Sequence, residues 1–275
     1  MEFIKNLARE AGRLTLEGFG RCGQMPKEGP DGYDIATIYD LRTEELIKKR
    51  IVDEFGEPVL GEEDGLVGDA ETARHRLWIV DPIDGTFNYQ RGLPYYAVSI
   101  AFCEEGSPVC SAIYLPALDE LFFAARGAGA FLDGRDLSAS TRLAVSQERG
   151  PERLVISLAG PGTYRLVGAC AVEGIPWRSL RLLLSAVASI AYVAAGRVDV
   201  FSDTALSLWD CAAGDVLLQE AGGPATCDYR GEPVFPGYVE CWLALGQRDK
   251  FSVVAASSSQ VFERTMKPIL TAAGL

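Results

Sequence analysis

A short apolar run, Leu77-Trp78-Ile79-Val80, meets Asp81-Pro82 and is followed at once by Ile83-Asp84-Gly85-Thr86-Phe87-Asn88. Apolar residues that include β-branched Ile and Val read as a buried strand. Pro82 has no N–H for a ladder, so the strand is expected to stop at Asp81. Asp84 follows close behind, and the two carboxylates can converge across a tight turn. Gly85 and Thr86 then present backbone N–H groups at the expected start of a helix, a ready place for an anion. Carboxylates for a hard cation beside N–H donors for phosphate are what metal-assisted phosphoryl chemistry requires. Carboxylates so close resist joint ionisation without a cation, because like charges raise one pKa. Asp-Pro and Asp-Gly are also ordinary turn dipeptides, so the segment acquires its meaning from the rest of the chain.

Before this segment, Phe3, Ile4, Leu7, Ala8, Ala11 and Leu14 recur at helical spacing, which predicts an amphipathic helix from about Glu2 to Gly18. A Gly/Pro-rich loop over 20–32 carries Lys27, and a second helix is expected from Asp40 to Phe55. Strands are expected at Pro58–Leu60, Tyr95–Cys103, Val109–Tyr114, Leu121–Ala125 and Gly127–Leu132. Helices followed by a series of strands suggest an antiparallel sheet with helices on one side. The second half alternates: strand Leu154–Ser157, helix Leu180–Ala195 capped by Gly196, strand Val198–Phe201, helix Trp209–Ala221, strand Phe251–Ala255 and a terminal helix from Ser259 to Ala272. The fold class expected is α+β passing into α/β, with a mixed C-terminal sheet. Two parts are expected, 1–145 with most of the site and 146–275 with the rest.

The chain has 275 residues, 48% hydrophobic and 23% charged, enough for one large domain or two modest ones. No apolar run reaches the roughly 18 residues of a membrane span. The start, Met1-Glu2-Phe3-Ile4-Lys5, has no signal-peptide core, so a cytoplasmic location is expected. A net charge of −12 disfavours nucleic acid as a partner. It does not exclude a phosphate ester, because bound cations reverse the local sign of a carboxylate-rich site. Seven scattered cysteines without a Cys-x-x-Cys pair read as reduced thiols. The single histidine, His75, rules out a two-histidine zinc site and sits in a charged stretch with no chemical role expected.

Two further carboxylate segments share the pattern. Gly61-Glu62-Glu63 follows a short apolar strand, and Trp209-Asp210-Cys211-Ala212-Ala213-Gly214 opens a helix that closes at Glu220-Ala221-Gly222-Gly223. In isolation the first reads as surface glutamates and the second as a helix cap. Their order and spacing around Trp78–Asn88 resemble the inositol monophosphatase family, within the superfamily that includes fructose-1,6-bisphosphatases. Ala191-Tyr192-Val193-Ala194-Ala195-Gly196-Arg197-Val198-Asp199 is similar as well, and the resemblance spans nearly the whole chain.

The resemblance implies a layered αβαβα fold and a magnesium-dependent, lithium-sensitive phosphoric monoester hydrolase acting on inositol monophosphate or a similar small polyol or sugar phosphate. Two or three Mg²⁺ are implied per site, with Mn²⁺ as a substitute, and a homodimer is expected. Glu62, Asp81 and the Ile83 carbonyl would hold the first ion. Asp81, Asp84 and Asp210 would hold the second, and a third near Glu62 would carry the attacking water. Gly85 and Thr86 would bind phosphate. Asp34-Ile35-Ala36-Thr37-Ile38-Tyr39-Asp40 is similar to a family element in which Asp40 would pair with the Thr86 hydroxyl to deprotonate that water. Lys27 and Glu63 are further candidates, and Asp84, Ser185 and Asp203 are implied on the alcohol side.

Departures from the family pattern fall on that side. Asp203 stands where relatives commonly have glutamate, Leu184-Ser185-Ala186 replaces Gly-Ser/Thr-Ala, and the connection from Ser157 to Leu180 is short. Other substrates share the same core: fructose 1,6-bisphosphate, histidinol phosphate, adenosine 3′,5′-bisphosphate or NADP. A metal-free carboxylate-pair glycosidase would leave the phosphate turn unused. A regulatory or RNA-associated protein on this fold is the reading from a different class.

Overall fold

A computed structural model describes residues 1–23, 25–26, 35–133, 141–145, 153–160, 162–172, 178–228, 230–245 and 250–274. In chain order the elements are α1 (Glu2–Gly18), β1 (Met25–Pro26), β2 (Ile35–Ala36), α2 (Ile38–Phe55), β3 (Val59–Gly61), β4 (Gly65–Val67), α3 (Ala70–His75), β5 (Arg76–Asp84) and α4 (Thr86–Gln90). Then come β6 (Ala97–Glu104), β7 (Ser107–Leu115), β8 (Glu120–Ala125), β9 (Gly129–Asp133), β10 (Thr141–Arg142) and β11 (Val155–Ala159). The remainder are α5 (Thr163–Val172), β12 (Ser179–Arg181), α6 (Ala186–Ala194), β13 (Val200–Leu206), α7 (Ala212–Glu220), α8 (Gly237–Leu245), β14 (Phe251–Ala256), α9 (Ser259–Val261) and α10 (Lys267–Ala273). A 3₁₀ turn, Leu208–Asp210, precedes α7, and a π turn, Phe262–Met266, joins α9 to α10.

These elements stack in five layers. The large sheet runs β10-β9-β8-β7-β6-β5-β3-β4 and is antiparallel except where β3 pairs parallel with β5. Its outer face is covered by α1 and α2, through Ile4, Leu7, Ala11, Ile47 and Ile51 against Val80, Val98 and Ile100. Its inner face meets α6 and α7, through Val187, Ile190, Ala213 and Leu217 against Ile79, Ala101, Ile113 and Phe122. The same helices press on the small sheet, β12-β11-β13-β14, at Phe201, Val253 and Ala255. In that sheet β11 is parallel to β12 and β13, and β14 is antiparallel. Leu166, Ile269 and Leu270, from α5 and α10, cover its far face. The order α, β, α, β, α is the layered architecture expected.

The central position of α6 explains its composition. All nine of its residues are buried, so a helix apolar on every side is stable only between two sheets. Each large side chain there contributes about 1.5–3 kcal/mol by leaving water.

Three local expectations are corrected. First, β5 does not stop at Asp81 but runs on to Asp84, with a register shift against β6 between Asp81 and Asp84. An irregularity of this kind is where a proline can stand in a strand. Second, the helix expected from Leu180 begins only at Ala186, because Leu180 belongs to β12 and Leu184 has φ of +56°. Ser185 then caps α6, its side chain accepting the Ala188 N–H. Third, the helix expected from Asp40 begins at Ile38, with Thr37 as its N-cap and Asp40 at the third helical position as the reciprocal partner of a capping box. Among the described residues Cys22, Cys103, Cys110, Cys211, Cys227 and Cys241 are free thiols. His75 ends α3 and bonds Glu105 at 3.0 Å on the surface.

One charged contact ties the outer helix layer to the turn carrying Glu62. Glu44 of α2 is fully buried and accepts the N–H groups of Glu63 and Asp64 at 2.8 and 2.9 Å. Lys48, one turn on, reaches the same carboxylate at 2.6 Å and donates to Gly65 O at 3.1 Å. Gly61 must be glycine, since a Cβ there would lie 2.4 Å from the Glu44 carboxylate. Breaking a buried pair leaves the other charge uncompensated and costs about 3–5 kcal/mol. Glu44→Ala is therefore expected to lower the urea unfolding free energy by that amount. Asp53→Ala, which breaks the exposed Lys49–Asp53 pair on the same helix, should change it by less than about 0.5 kcal/mol. Equal effects of the two substitutions would contradict this assignment.

Candidate active site

The bend at the end of β5 delivers two buried carboxylates to a cavity of about 250 Å³. Asp81 is held by its own turn, with Oδ1 accepting the Ile83 N–H at 3.0 Å. Its other oxygen, Oδ2, is buried and receives no hydrogen bond. Asp84 projects onto the start of α6. There it accepts Ser185 Oγ at 2.5 Å, the Val187 N–H at 2.8 Å and the Ala186 N–H at 3.2 Å. A helix N-terminus stabilises an anion through these N–H groups and the helix dipole. Asp210 arrives from the other side, at the end of the 3₁₀ turn, where the Ser207 N–H donates to its Oδ2 at 2.6 Å. One oxygen from each of Asp81, Asp84 and Asp210 lies within 4.8 Å of the others. Glu62, on the β3–β4 turn, lines the same cavity.

The electrostatics follow from this crowding. Burial first, and then the charges of Glu62, Asp84 and Asp210, push the Asp81 carboxyl well above the usual carboxylate range. Burial pushes Asp84 up to about 6, opposed by the hydrogen bonds from Ser185, Val187 and Ala186. Asp210 is raised by burial too, with the Lys250 ammonium acting in the opposite direction. An orphaned buried oxygen surrounded by further carboxylates is costly unless a cation occupies the gap. Oxygen-only donors suit a hard divalent ion. The residues present therefore fit a metal site, and Asp81, Asp84, Asp210 and Glu62 are the groups that could hold it.

Gly85 links the carboxylate turn to α4. Its φ of +92° and the closeness of Tyr95 O (3.0 Å) and Leu184 O (3.2 Å) to any added Cβ leave glycine as the residue that fits. The first N–H groups of a helix have no partner within it, and those of Thr86 and Phe87 begin α4 at the cavity wall. The Thr86 hydroxyl lies 3.3 Å from Asp40 Oδ1 and 3.1 Å from Ile83 O, so one hydrogen is shared between two acceptors. Asp40 is fully buried, and its Oδ2 is fixed by the Thr37 N–H at 2.7 Å and Thr37 Oγ1 at 2.5 Å.

The structure thus brings Glu62, Asp81, Ile83, Asp84, Gly85, Thr86 and Asp210 to one cavity, with Asp40 bonded behind Thr86. Asp203 lines the cavity on the β13 side. Ser185 is buried and directed at Asp84. Glu63 gives its N–H to Glu44 and is not among the lining residues. Lys27 and Asp34 lie outside the described residues. Sequence reasoning missed three contributors. Lys250 lines the cavity from the head of β14, and no motif surrounds it. Asn88 closes the quoted motif and ties α4 to the segment before α6, donating to Tyr95 O at 2.6 Å and Leu183 O at 2.7 Å. Glu44 could have been suspected only from its spacing of four to Lys48 on a helix face.

A cation that binds the folded chain here should stabilise it, by about 2.7 kcal/mol at a hundredfold excess over Kd. Asp81→Asn removes one of the crowded charges. The metal-free variant should melt no lower than the metal-free parent, and its response to Mg²⁺ or Mn²⁺ in a thermal scan should be largely lost. A variant that keeps the full cation response would place the metal elsewhere.

A model of the inositol monophosphatase family matches residues 1–267. A Thermotoga maritima protein named fructose-1,6-bisphosphatase/inositol-1-monophosphatase is 33% identical over 233 residues, covering 84% of this chain and 86% of that protein. The Nus factor SuhB of Xylella fastidiosa is 35% identical over 236 residues, covering 82% of this chain and 80% of its own length. Among solved structures, a Thermotoga maritima IMPase superposes with a TM-score of 0.82 at 29% identity, covering 99% of this chain and 97% of that one. With the family matched almost end to end, and with the acidic cavity in place, the chain belongs to the inositol monophosphatase family and is a metal-dependent phosphatase of that superfamily.

Proposed function

We propose that the protein is a Mg²⁺-dependent phosphomonoesterase acting on inositol monophosphate or a similar small polyol or sugar phosphate. The observation that carries this is the buried, unsatisfied Asp81 Oδ2 facing Asp84 and Asp210 beside the Thr86–Asp40 pair. In this reading Glu62, Asp81, Asp84, Asp210 and the Ile83 carbonyl hold two or three Mg²⁺, for which Mn²⁺ can substitute. Divalent cations supply water activation and charge neutralisation in such sites. The remaining work falls to the chain itself. The N–H groups of Gly85 and Thr86 orient the phosphoryl oxygens, and positioning is most of what phosphoryl transfer needs. The Thr86 hydroxyl passes its proton to Asp40 Oδ1 and takes one from the attacking water. Thr37 holds Asp40 Oδ2 in place for that step. A homodimer and a cytoplasmic setting belong to the same proposal.

The name of the Xylella relative, Nus factor SuhB, favours a second reading, a regulatory or RNA-associated protein on this fold. That reading leaves the carboxylate cavity unused, and the net charge of −12 opposes RNA binding.

Inositol 1-phosphate or glycerol 2-phosphate should be hydrolysed with Mg²⁺ present. Chelator should abolish turnover and added Mg²⁺ should restore it. Thr86→Ala should lower kcat by about a hundredfold, the scale of a lost proton-transfer group. KM should change little, because the backbone N–H that binds phosphate remains. Full turnover in excess chelator would remove the metal from the mechanism, and an unchanged kcat would remove the Thr86 hydroxyl.

A further inference from the structure

Asp203 is the group expected to read a substrate hydroxyl, but its carboxylate is already engaged. It is buried, Oδ1 accepts the Ala205 N–H at 2.9 Å, and the Thr204 N–H also bonds the carboxylate. The backbone at Gly160 presses on the same oxygen, since a Cβ there would lie 2.1 Å from it. Asp203 thus serves its own turn on this wall of the cavity.

Lys250 stands beside it. Phe251 pairs with Leu206 across β13 and β14, which sets Lys250 next to the turn leading to Asp210. Its side chain lines the cavity, and its charge acts on both Asp203 and Asp210. It is the only lysine or arginine among the described lining residues, against Glu62, Asp81, Asp84, Asp203 and Asp210. It is also exposed and enters no ion pair within 4 Å among the described residues. The phosphate turn, Gly85–Thr86, comes from the other sheet, so Lys250 belongs to the side where the alcohol would lie. An ammonium has three donors and no acceptor, and it cannot ligate a cation. Once the carboxylates around Asp81 are neutralised, Lys250 and Asp203 are the charged groups left on this wall, and with Asp203 Oδ1 taken by the Ala205 N–H the ammonium is the group free to meet an anion.

We propose that Lys250 is a specificity-determining residue that selects phosphate esters whose alcohol carries a second anionic group, a carboxylate or a second phosphate, over neutral polyol phosphates. The proposal rests on the phosphatase reading above and, within it, ranks sugar phosphates with a second anionic group ahead of inositol monophosphate and other neutral polyol phosphates.

The test compares matched pairs on the full chain with Mg²⁺. Glycerol 2-phosphate against 2-phosphoglycerate reads a carboxylate, and fructose 1-phosphate against fructose 1,6-bisphosphate reads a second phosphate. The ratio of kcat/KM, anionic over neutral, should be about tenfold in at least one pair, the low end for a hydrogen bond between charged groups. Lys250→Met should reduce that ratio about tenfold, mainly through KM. Lys250→Arg should retain most of it, and Lys250→Glu should bring it below one. The ratio should also fall with ionic strength, because the group is exposed. A ratio near one in both pairs, or a preference that survives Lys250→Met, would overturn the proposal while leaving the phosphatase intact. Failure to hydrolyse any ester with any divalent cation would sink the phosphatase reading, and this one with it.

Discussion

The structure is organised around carboxylates that the fold forces together. Asp81 and Asp84 come from one bend of β5, Asp210 comes from a turn between the layers, and one oxygen of each falls within 4.8 Å of the others. Bringing like charges out of water is unfavourable, and the surrounding backbone offsets much of it. The α6 N-terminus serves Asp84, the Ser207 N–H serves Asp210 and the Ile83 N–H serves one oxygen of Asp81. What the protein leaves unserved is Asp81 Oδ2. A fold that satisfies all but one buried oxygen in an acidic cluster has the electrostatics of a cation site.

The outer layers keep these groups in register. Helix α6 can point its N-terminus at Asp84 because it is sandwiched between the sheets with every residue buried. The buried Glu44–Lys48 pair anchors the turn that bears Glu62 to the opposite outer helix. At the far end of α7, Glu220 accepts the N–H groups of Gly127 and Gly129 at 2.8 Å each, fixing that helix against the β8–β9 turn. Residues remote from the cavity thus act on it through rigid elements, which is how a site gains the positional precision that phosphoryl chemistry needs.

Much of this was legible in the chain. Helical spacing located α1 to the residue, and apolar runs located most strands of both sheets. The motif around Asp81–Asn88, with Glu62 and Asp210, identified the groups that share the cavity. The failures have physical causes. Leu180–Leu184 reads as a continuation of the apolar helix, yet its conformation answers to Asp84, whose carboxylate caps α6 from about a hundred residues away. Pro82 reads as a strand end, yet β5 absorbs it at a register shift against β6. Lys250 has no local signature, because its position depends on how β14 pairs with β13. In each case a long-range contact overrides a local preference.

The central claim is that the cluster of Asp81, Asp84 and Asp210 is a metal centre. The most direct measurement is anomalous diffraction from crystals grown with Mn²⁺. The account predicts a strong peak between the three carboxylates, in contact with Asp81 Oδ2, with further density near Glu62. A cavity without anomalous density at saturating Mn²⁺, or peaks confined to other acidic residues, would contradict it.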